Sequence, residues 1–324
     1  MSTKLDKDFK EYMKLIYIAF LAVSTLALPI TGCVISETSG ISLSSHSQEV
    51  FPILITNSHG QTISIETPPK RIISLSPAHT EIFYAIGSGD RIVGRDRFSD
   101  FPPETSEKAI VGDAFSLNLE AIVALEPDLV YTTFEGPVYP IEGLGIDVLY
   151  LEPALTLEGV LDNIRLIGRV TLHEEEAKAL ADHIAERISA VVNMIPDGKR
   201  SPRVFYEIDP GLFTVGPNSF IGNVFNLLSV NNVALDARNP YPQLSLEAIV
   251  EADPEIILLG DSKEFLQNGI TTHQVTTRPG WGNITAVRNG EIHPFDDSLL
   301  SRPGPRLADG VEQLAKLLYP GELE

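Results

Sequence analysis

Leu119-Glu120-Ala121-Ile122-Val123-Ala124-Leu125-Glu126-Pro127-Asp128-Leu129-Val130-Tyr131 and Leu246-Glu247-Ala248-Ile249-Val250-Glu251-Ala252-Asp253-Pro254-Glu255-Ile256-Ile257-Leu258 are two versions of one phrase. Six of the thirteen positions are identical, and most others keep their acidic or aliphatic character. Asn118 and Ser245 stand at matching N-cap positions, and Pro127 and Pro254 break what precedes them. Each copy therefore reads as a short helix that feeds a buried strand. The copies lie 127 residues apart, a domain-sized offset too long for a solenoid repeat, so two similar α/β lobes are expected.

The flanking sequence fits that plan. Arg71 to Leu75 is a short apolar strand, and Ser76-Pro77 offers an N-cap and a helix-first proline. A helix follows over Thr80 to Ile86, stopped by Gly87, and Arg91 to Gly94 is the next strand. Strand–helix–strand alternation marks a parallel sheet. Ahead of it, Phe51 to Thr56 and Thr62 to Glu66 read as a hairpin around Asn57-Ser58-His59-Gly60, closed by Pro68-Pro69. Between the copies, Leu161, Ile164, Ile167, Leu180, Ile184, Ile188, Val191 and Val192 recur mostly by threes and fours. That pattern predicts a long helix over 158–195, reaching up to ~57 Å if continuous, with Gly168 or Thr171-Leu172 as places for a break. It would join a first lobe, 51–157, to a second, 196–324, which opens with the strand Arg203 to Ile208.

With 324 residues, 43% hydrophobic, the chain can bury more than one core. A formal net charge of −20 disfavours nucleic acid and anionic lipid as direct partners. The single cysteine, Cys33, follows the apolar run Leu15 to Ile30 and the ending Ile30-Thr31-Gly32. A basic start, an apolar region and small residues before a cleavage point describe a secretory signal over 1–32. The Ile-Thr-Gly-Cys ending resembles the bacterial lipobox, which implies lipidation of Cys33 and an extracytoplasmic, membrane-anchored protein. A transmembrane helix is the alternative, over a run shorter than a comfortable ~20-residue span. Met13 is a second candidate start. Residues 33–50 are Ser-rich and read as a flexible tether.

Arg71-Ile-Ile-Ser-Leu-Ser-Pro-Ala-His-Thr-Glu81, Phe98-Ser-Asp-Phe-Pro-Pro-Glu104, the phrase at 119–130 and Arg302-Pro-Gly-Pro-Arg-Leu-Ala-Asp-Gly310 together resemble the cobalamin, iron-siderophore and haem binding proteins of ABC importers. The resemblance runs from about 51 to 320 and is nearest to the cobalamin branch. It implies the class III periplasmic binding protein fold: two Rossmann-like lobes, a rigid connecting helix and a ligand clamped between the lobes. It also implies an ABC permease with its ATPase subunits as partner, no catalysis, no resident cofactor and a monomeric protein.

The resemblance assigns Phe98, Phe213 and Tyr241 as ligand-facing aromatics and Arg302 as a polar contact. Where that branch can carry tryptophans this chain has Ala114 and Thr133, with Phe115 and Phe134 adjacent, and Ser298 stands where an acid can occur, beside Asp296 and Asp297. Trp281 reads as packing within its lobe. His79 and His293 follow strands and are candidates to approach a bound metal or its axial group, with hydrogen-bonded loop histidines as the alternative. The other histidines (46, 59, 173, 183 and 273) lack ligand-like spacing. Glu120 and Glu247 sit in the first turns of the repeated helices, where an acid complements the helix dipole by about 0.3–1 kcal/mol. The resemblance gives both a further role, docking on a symmetric permease.

Two other readings stand beside this one. A ferric-siderophore or haem receptor would use arginines facing an anionic chelate, with Arg95, Arg97, Arg238 and Arg302 as candidates. A hydrolase or lyase finds no Gly-x-Ser-x-Gly, phosphate loop or His-Glu-x-x-His in the sequence.

Overall fold

The computed structural model describes residues 51–195 and 201–321. The signal, Cys33 and the tether expected within 1–50 lie outside the described residues. The chain opens with an antiparallel hairpin, β1 (Ile53–Thr56) and β2 (Thr62–Ile65). The first lobe follows with β3 (Ile72–Leu75), β4 (Ile92–Arg95), β5 (Ala109–Ile110), a small hairpin of β6 (Gly112–Asp113) and β7 (Ser116–Leu117), β8 (Leu129–Thr132) and β9 (Val148–Tyr150). Its sheet is parallel, in the order β5-β4-β3-β8-β9. The second lobe contributes β10 (Arg203–Glu207), β11 (Asn231–Asn232), β12 (Ile256–Leu259) and β13 (Ile292–Pro294), parallel in the order β11-β10-β12-β13.

The duplication seen in the sequence extends to the topology. The run β4-β3-β8-β9 of one sheet corresponds to β11-β10-β12-β13 of the other, and the repeated phrase supplies the third strand each time. In the first lobe two short helices, α1 (Pro77–Ala85) and α2 (Leu119–Ala124), each precede the next strand of the sheet. The predicted caps of the repeat are present: the Asn118 side chain accepts from the Ala121 N–H, and the Ser245 side chain from the Ala248 N–H. Ser76 differs. It occupies the N-cap position of α1, but its hydroxyl lies 2.9 Å from His79 Nδ1 instead of capping the helix.

Each repeat also carries one latch. Glu126 (φ 45°) and Asp253 (φ 44°) both take the left-handed conformation immediately before the proline, which is unfavourable for a residue with a side chain. In both lobes an arginine at the start of the neighbouring strand holds that corner. Arg71 Nε donates to the Leu125 and Glu126 carbonyls, and Arg203 Nε and Nη2 donate to the Asp253 carbonyl. The acid after each proline then receives the same arginine's backbone N–H, Asp128 from Arg71 and Glu255 from Arg203, each at 3.0 Å. This explains why Glu-Pro-Asp and Asp-Pro-Glu recur: one acid-flanked proline sets the register of two adjacent parallel strands.

The predicted helix over 158–195 is two helices, α3 (Leu157–Thr171) and α4 (Glu174–Met194), packed against each other. The break falls at Leu172, a left-handed C-cap with φ 56°, one of the two sites expected. The connecting element is thus α4, whose 21 residues span about 31 Å, and not a continuous strut of the full segment. Beyond it come α5 (Leu246–Ala252), which is the second repeat's helix, and the C-terminal α6 (Leu307–Leu318), bound to α4 by Arg187 pairing with Asp309 (2.7 Å) and Glu312 (2.8 Å).

Strand residues alternate between two cores, as period two requires. Ile73, Val130 and Val148 lie in one outer core, and Phe205, Ile257 and Leu259 in another with Trp281. Ile72, Leu129 and Tyr131 of the first sheet join Val204, Tyr206 and Leu258 of the second in a single central core, through α3, α4 and α6. The lobes share no strand, yet their inner faces are packed on one helical layer. That continuity resists large hinge motion.

Removing either latch acid leaves strand-edge N–H groups to solvent. Asp128→Ala and Glu255→Ala should each lower the unfolding free energy by about 1 kcal/mol, and the double variant by close to the sum, because the latches share no residue. Denaturant unfolding checks this; a double variant no weaker than either single one would contradict it.

Candidate functional site

In a parallel sheet, loops leaving the carboxyl ends of strands collect on one side and form the usual ligand crevice. Here those loops carry most of the exposed aromatic surface. Phe98 follows β4, Phe115 sits at the tip of the β6–β7 hairpin, and Phe134 follows β8; they are 53%, 88% and 44% exposed. The Phe115 and Phe134 rings are 6.0 Å apart. From the second lobe, Phe213 follows β10 and Tyr241 lies in the loop after β11, with Phe213 pairing to Gln243 of that same loop. The five aromatics picked from the sequence thus all stand on strand-end loops. Thr133 is buried, and Phe134 beside it presents the ring.

Sequence reasoning missed two members of this ledge. Phe265 and Leu266, each 49% exposed, occupy the loop after β12, between the loops of β10 and β13 in sheet order. Its base is tied by the Ile270 N–H to the Asp261 carbonyl and the Lys263 N–H to the Ile270 carbonyl. No sequence phrase marked it, because an exposed Phe-Leu pair in a polar loop has no periodicity to read.

Arg302 sits at the meeting point of the two sets of strand ends. It follows β13, and its Nη1 pairs with Asp100 of the first lobe at 2.5 Å and approaches Glu81 at 3.7 Å. Its charge also acts on Asp96, after β4, and on Asp297, after β13. Four residues on, Arg306 makes a two-pronged bond to Glu81 (2.6 and 2.8 Å) and lies 4.1 Å over the Phe101 ring. Glu81 is 2% exposed. Burial holds its carboxyl above the usual carboxylate range, against the opposing pull of Arg306 and Arg302. Both Glu81 and Arg306 lie inside the phrases quoted from the sequence; an acid within the short apolar helix α1 was the available signal.

Two of the other three candidate arginines are engaged as well. Arg95 is 7% exposed and donates to the carbonyls of Thr105 and Asp96. Arg97 pairs with Asp113 at 2.7 Å. Arg238 is exposed on the loop after β11. The second lobe's strand ends hold further acids. Tyr206 donates to Asp297 at 2.7 Å, and Asp296 accepts from Ser298. Glu207 is fully buried and clamped by both Arg278 nitrogens, while Arg278 stacks 4.6 Å over Trp281.

The histidine candidates do not face the ledge. His79 is 3% exposed, stacked 4.2 Å from Tyr131, and its Nε2 has no hydrogen-bond partner. Burial lowers its pKa to about 3, so the ring is a neutral core element and not a metal-approaching side chain. His293 lies within β13 with Nε2 2.9 Å from Glu291. His173 bonds the Thr171 carbonyl at the helix break, and His183 is exposed on α4. Among the described residues no group of three or more His, Cys, Asp or Glu is placed to hold a metal ion.

Glu120 and Glu247 are exposed in the first turns of α2 and α5. Each helix runs antiparallel to the strand it feeds, so both acids lie on the carboxyl-end side of their sheets, one per lobe. Glu247 is held below the usual carboxylate range by hydrogen bonds at its own helix start, to its backbone N–H and Ser245. The helix-start role is therefore real for Glu247 and compatible with a second one.

A profile of the periplasmic binding protein family matches residues 72–299. Over 311 residues, 92% of this chain and 96% of the relative, the sequence is 31% identical to the protein named uncharacterized ABC transporter substrate-binding lipoprotein YvrC of Bacillus subtilis (strain 168). The crystal structure of the periplasmic vitamin B12 binding protein BtuF of Vibrio cholerae aligns with TM-score 0.66 and 28% identity, covering 78% of this chain and 97% of that one. The periplasmic heme-binding protein RhuT from Roseiflexus sp. RS-1 aligns with TM-score 0.69 and 24% identity over 78% and 99% of the two chains, a likeness of fold.

Asp261, after β12, is 2% exposed with both carboxylate oxygens unpartnered. Burial, with Glu207 adding to it, raises its pKa to about 7, against ~3.9 unfolded. The folded state therefore disfavours the charged form: stability from this group is full below pH ~4, is lost as pH rises to about 7, and stays lost above. Asp261→Asn should raise the melting temperature at pH 8 and flatten its pH dependence between about pH 5 and 7. Melts across that range measure it; an unchanged pH 8 melting point would contradict the assignment.

Proposed function

The chain belongs to the periplasmic binding protein family, and from that premise we propose that it captures a corrinoid, with cobalamin as the reference ligand, and delivers it to an ABC permease. The family's members are substrate-binding components of transporters, and this chain is one of the class whose relatives include B12, haem and iron binders. The corrinoid is the finer reading, and one observation carries it: of the strand-end arginines, Arg95, Arg97, Arg302 and Arg306 are engaged by acids or carbonyls of this chain, with the exposed Arg238 the exception.

A haem or a ferric siderophore presents carboxylates or other anionic groups, which call for cations not already neutralised. Cobalamin presents broad apolar faces and a rim of neutral amides. Aromatic walls with hydrogen-bonding acids between them suit the second ligand better. The names of several curated relatives, such as the cobalamin-binding protein of Halobacterium salinarum, 29% identical over 83% of this chain, support the same reading. Phe98, Phe115, Phe134, Phe213 and Tyr241 would cover the ring, and Arg302 would reach its amide rim while still paired with Asp100. His79 has no part in it.

Placement supports delivery. Glu120 and Glu247, on the same side of the two lobes as the ledge, would pair with arginines of a two-fold permease, and lipidation of Cys33 would hold the protein at the outer face of the membrane. It acts there as a monomer.

Titrating the wild type and the Glu120→Ala/Glu247→Ala variant with cyanocobalamin, haemin and a ferric siderophore, followed by uptake in permease-bearing cells, tests both parts. Cyanocobalamin should bind one-to-one, below about 1 μM, equally to both proteins, while the variant loses uptake. Binding of haemin or the siderophore in its place would replace the corrinoid reading; equal loss of binding and uptake in the variant would remove the docking role.

A further inference from the structure

Resting on the corrinoid reading, we propose that Asp100 is the specificity-determining residue of the site, a fixed anion that denies Arg302 to ligands bearing a carboxylate. Four acids bear on Arg302: Glu81, Asp96, Asp100 and Asp297. Three are committed elsewhere. Glu81 is buried and clamped by Arg306, Asp96 accepts the N–H groups of Phe98 and Ser99, and Asp297 accepts from Tyr206. Asp100 alone has Arg302 as its hydrogen-bonded partner, and its side chain is 66% exposed against 20% for Arg302. The acid thus covers the arginine from the solvent side, on the loop that also carries Phe98 and Phe101.

The consequence is a selection by charge. A neutral amide at the rim can accept from Arg302 while Asp100 stays beside it, so the pair keeps its own attraction. A carboxylate reaching the same place meets Asp100 as a like charge and competes with it for one cation. Such juxtaposition suppresses wrong partners more than it strengthens right ones. Asp100 therefore contributes little to the affinity for a neutral corrinoid and much to the rejection of its acid forms, and of anionic chelates generally.

The test uses ligands of one shape and different charge: cyanocobalamin and its separated monocarboxylic acids, in which one peripheral amide is hydrolysed. Wild type and Asp100→Asn are titrated with each at low salt, with thermal melts to confirm folding. Wild type should bind at least one monocarboxylate about tenfold or more weakly than cyanocobalamin, and Asp100→Asn should narrow that ratio at least about fivefold while cyanocobalamin affinity changes less than about threefold. The variant should also gain affinity for haemin. An unchanged ratio for every isomer overturns the proposal, as does an equal loss of neutral and acidic ligands, which would make Asp100 a plain contact; either result leaves the corrinoid reading standing. Failure of the wild type to bind cyanocobalamin at all is the separate result that sinks that reading.

Discussion

The Glu81 carboxylate is the interaction on which the arrangement of this molecule turns. It is buried in α1 of the first lobe, yet its partners, Arg306 and Arg302, arrive from the far end of the chain, more than two hundred residues later. A buried carboxylate without a cation is expensive, so these pairs tie the C-terminal segment to the first lobe. From that fixed point follow the stacking of Arg306 on Phe101, the reach of Arg302 to Asp100 and the meeting of both sets of strand ends.

The rest of the architecture makes that meeting stiff. One central core runs from the first sheet through α3, α4 and α6 to the second, and Arg187 ties α4 to α6. Two lobes with independent cores on a single strut would swing; two lobes sharing an inner layer adjust locally. The exposed aromatics and the Asp100–Arg302 pair lie on the strand-end loops, outside that shared core.

The fold was largely legible in the sequence because its signals are local and repeated. The thirteen-residue phrase, its caps and its prolines predicted two equivalent helix–strand units, and the structure puts both in the same place in their sheets. The length of the connecting helix was not legible to the same degree, since periodicity alone runs on through Leu172, where a left-handed residue turns the chain. At the site, exposed aromatics near strand ends could be picked by motif, whereas the ion pairs join residues 202 and 225 positions apart and leave no local trace. His79 misled for a related reason. Its position after a strand suggested the crevice, but its neighbours Tyr131 and Ser76 draw the ring into the core.

At the mouth Arg97, Arg302 and Arg306 are answered by this chain's own acids, and the guest we propose is neutral where it meets them. The dissociation constant of cyanocobalamin measured from about 20 mM to about 500 mM salt tests this most directly, because screening weakens attraction between opposite charges and leaves neutral contacts alone. A constant that stays within about twofold across the range is the predicted result. A steep loss of affinity with added salt would mean that unanswered charge holds the ligand, the opposite of what the paired arginines imply.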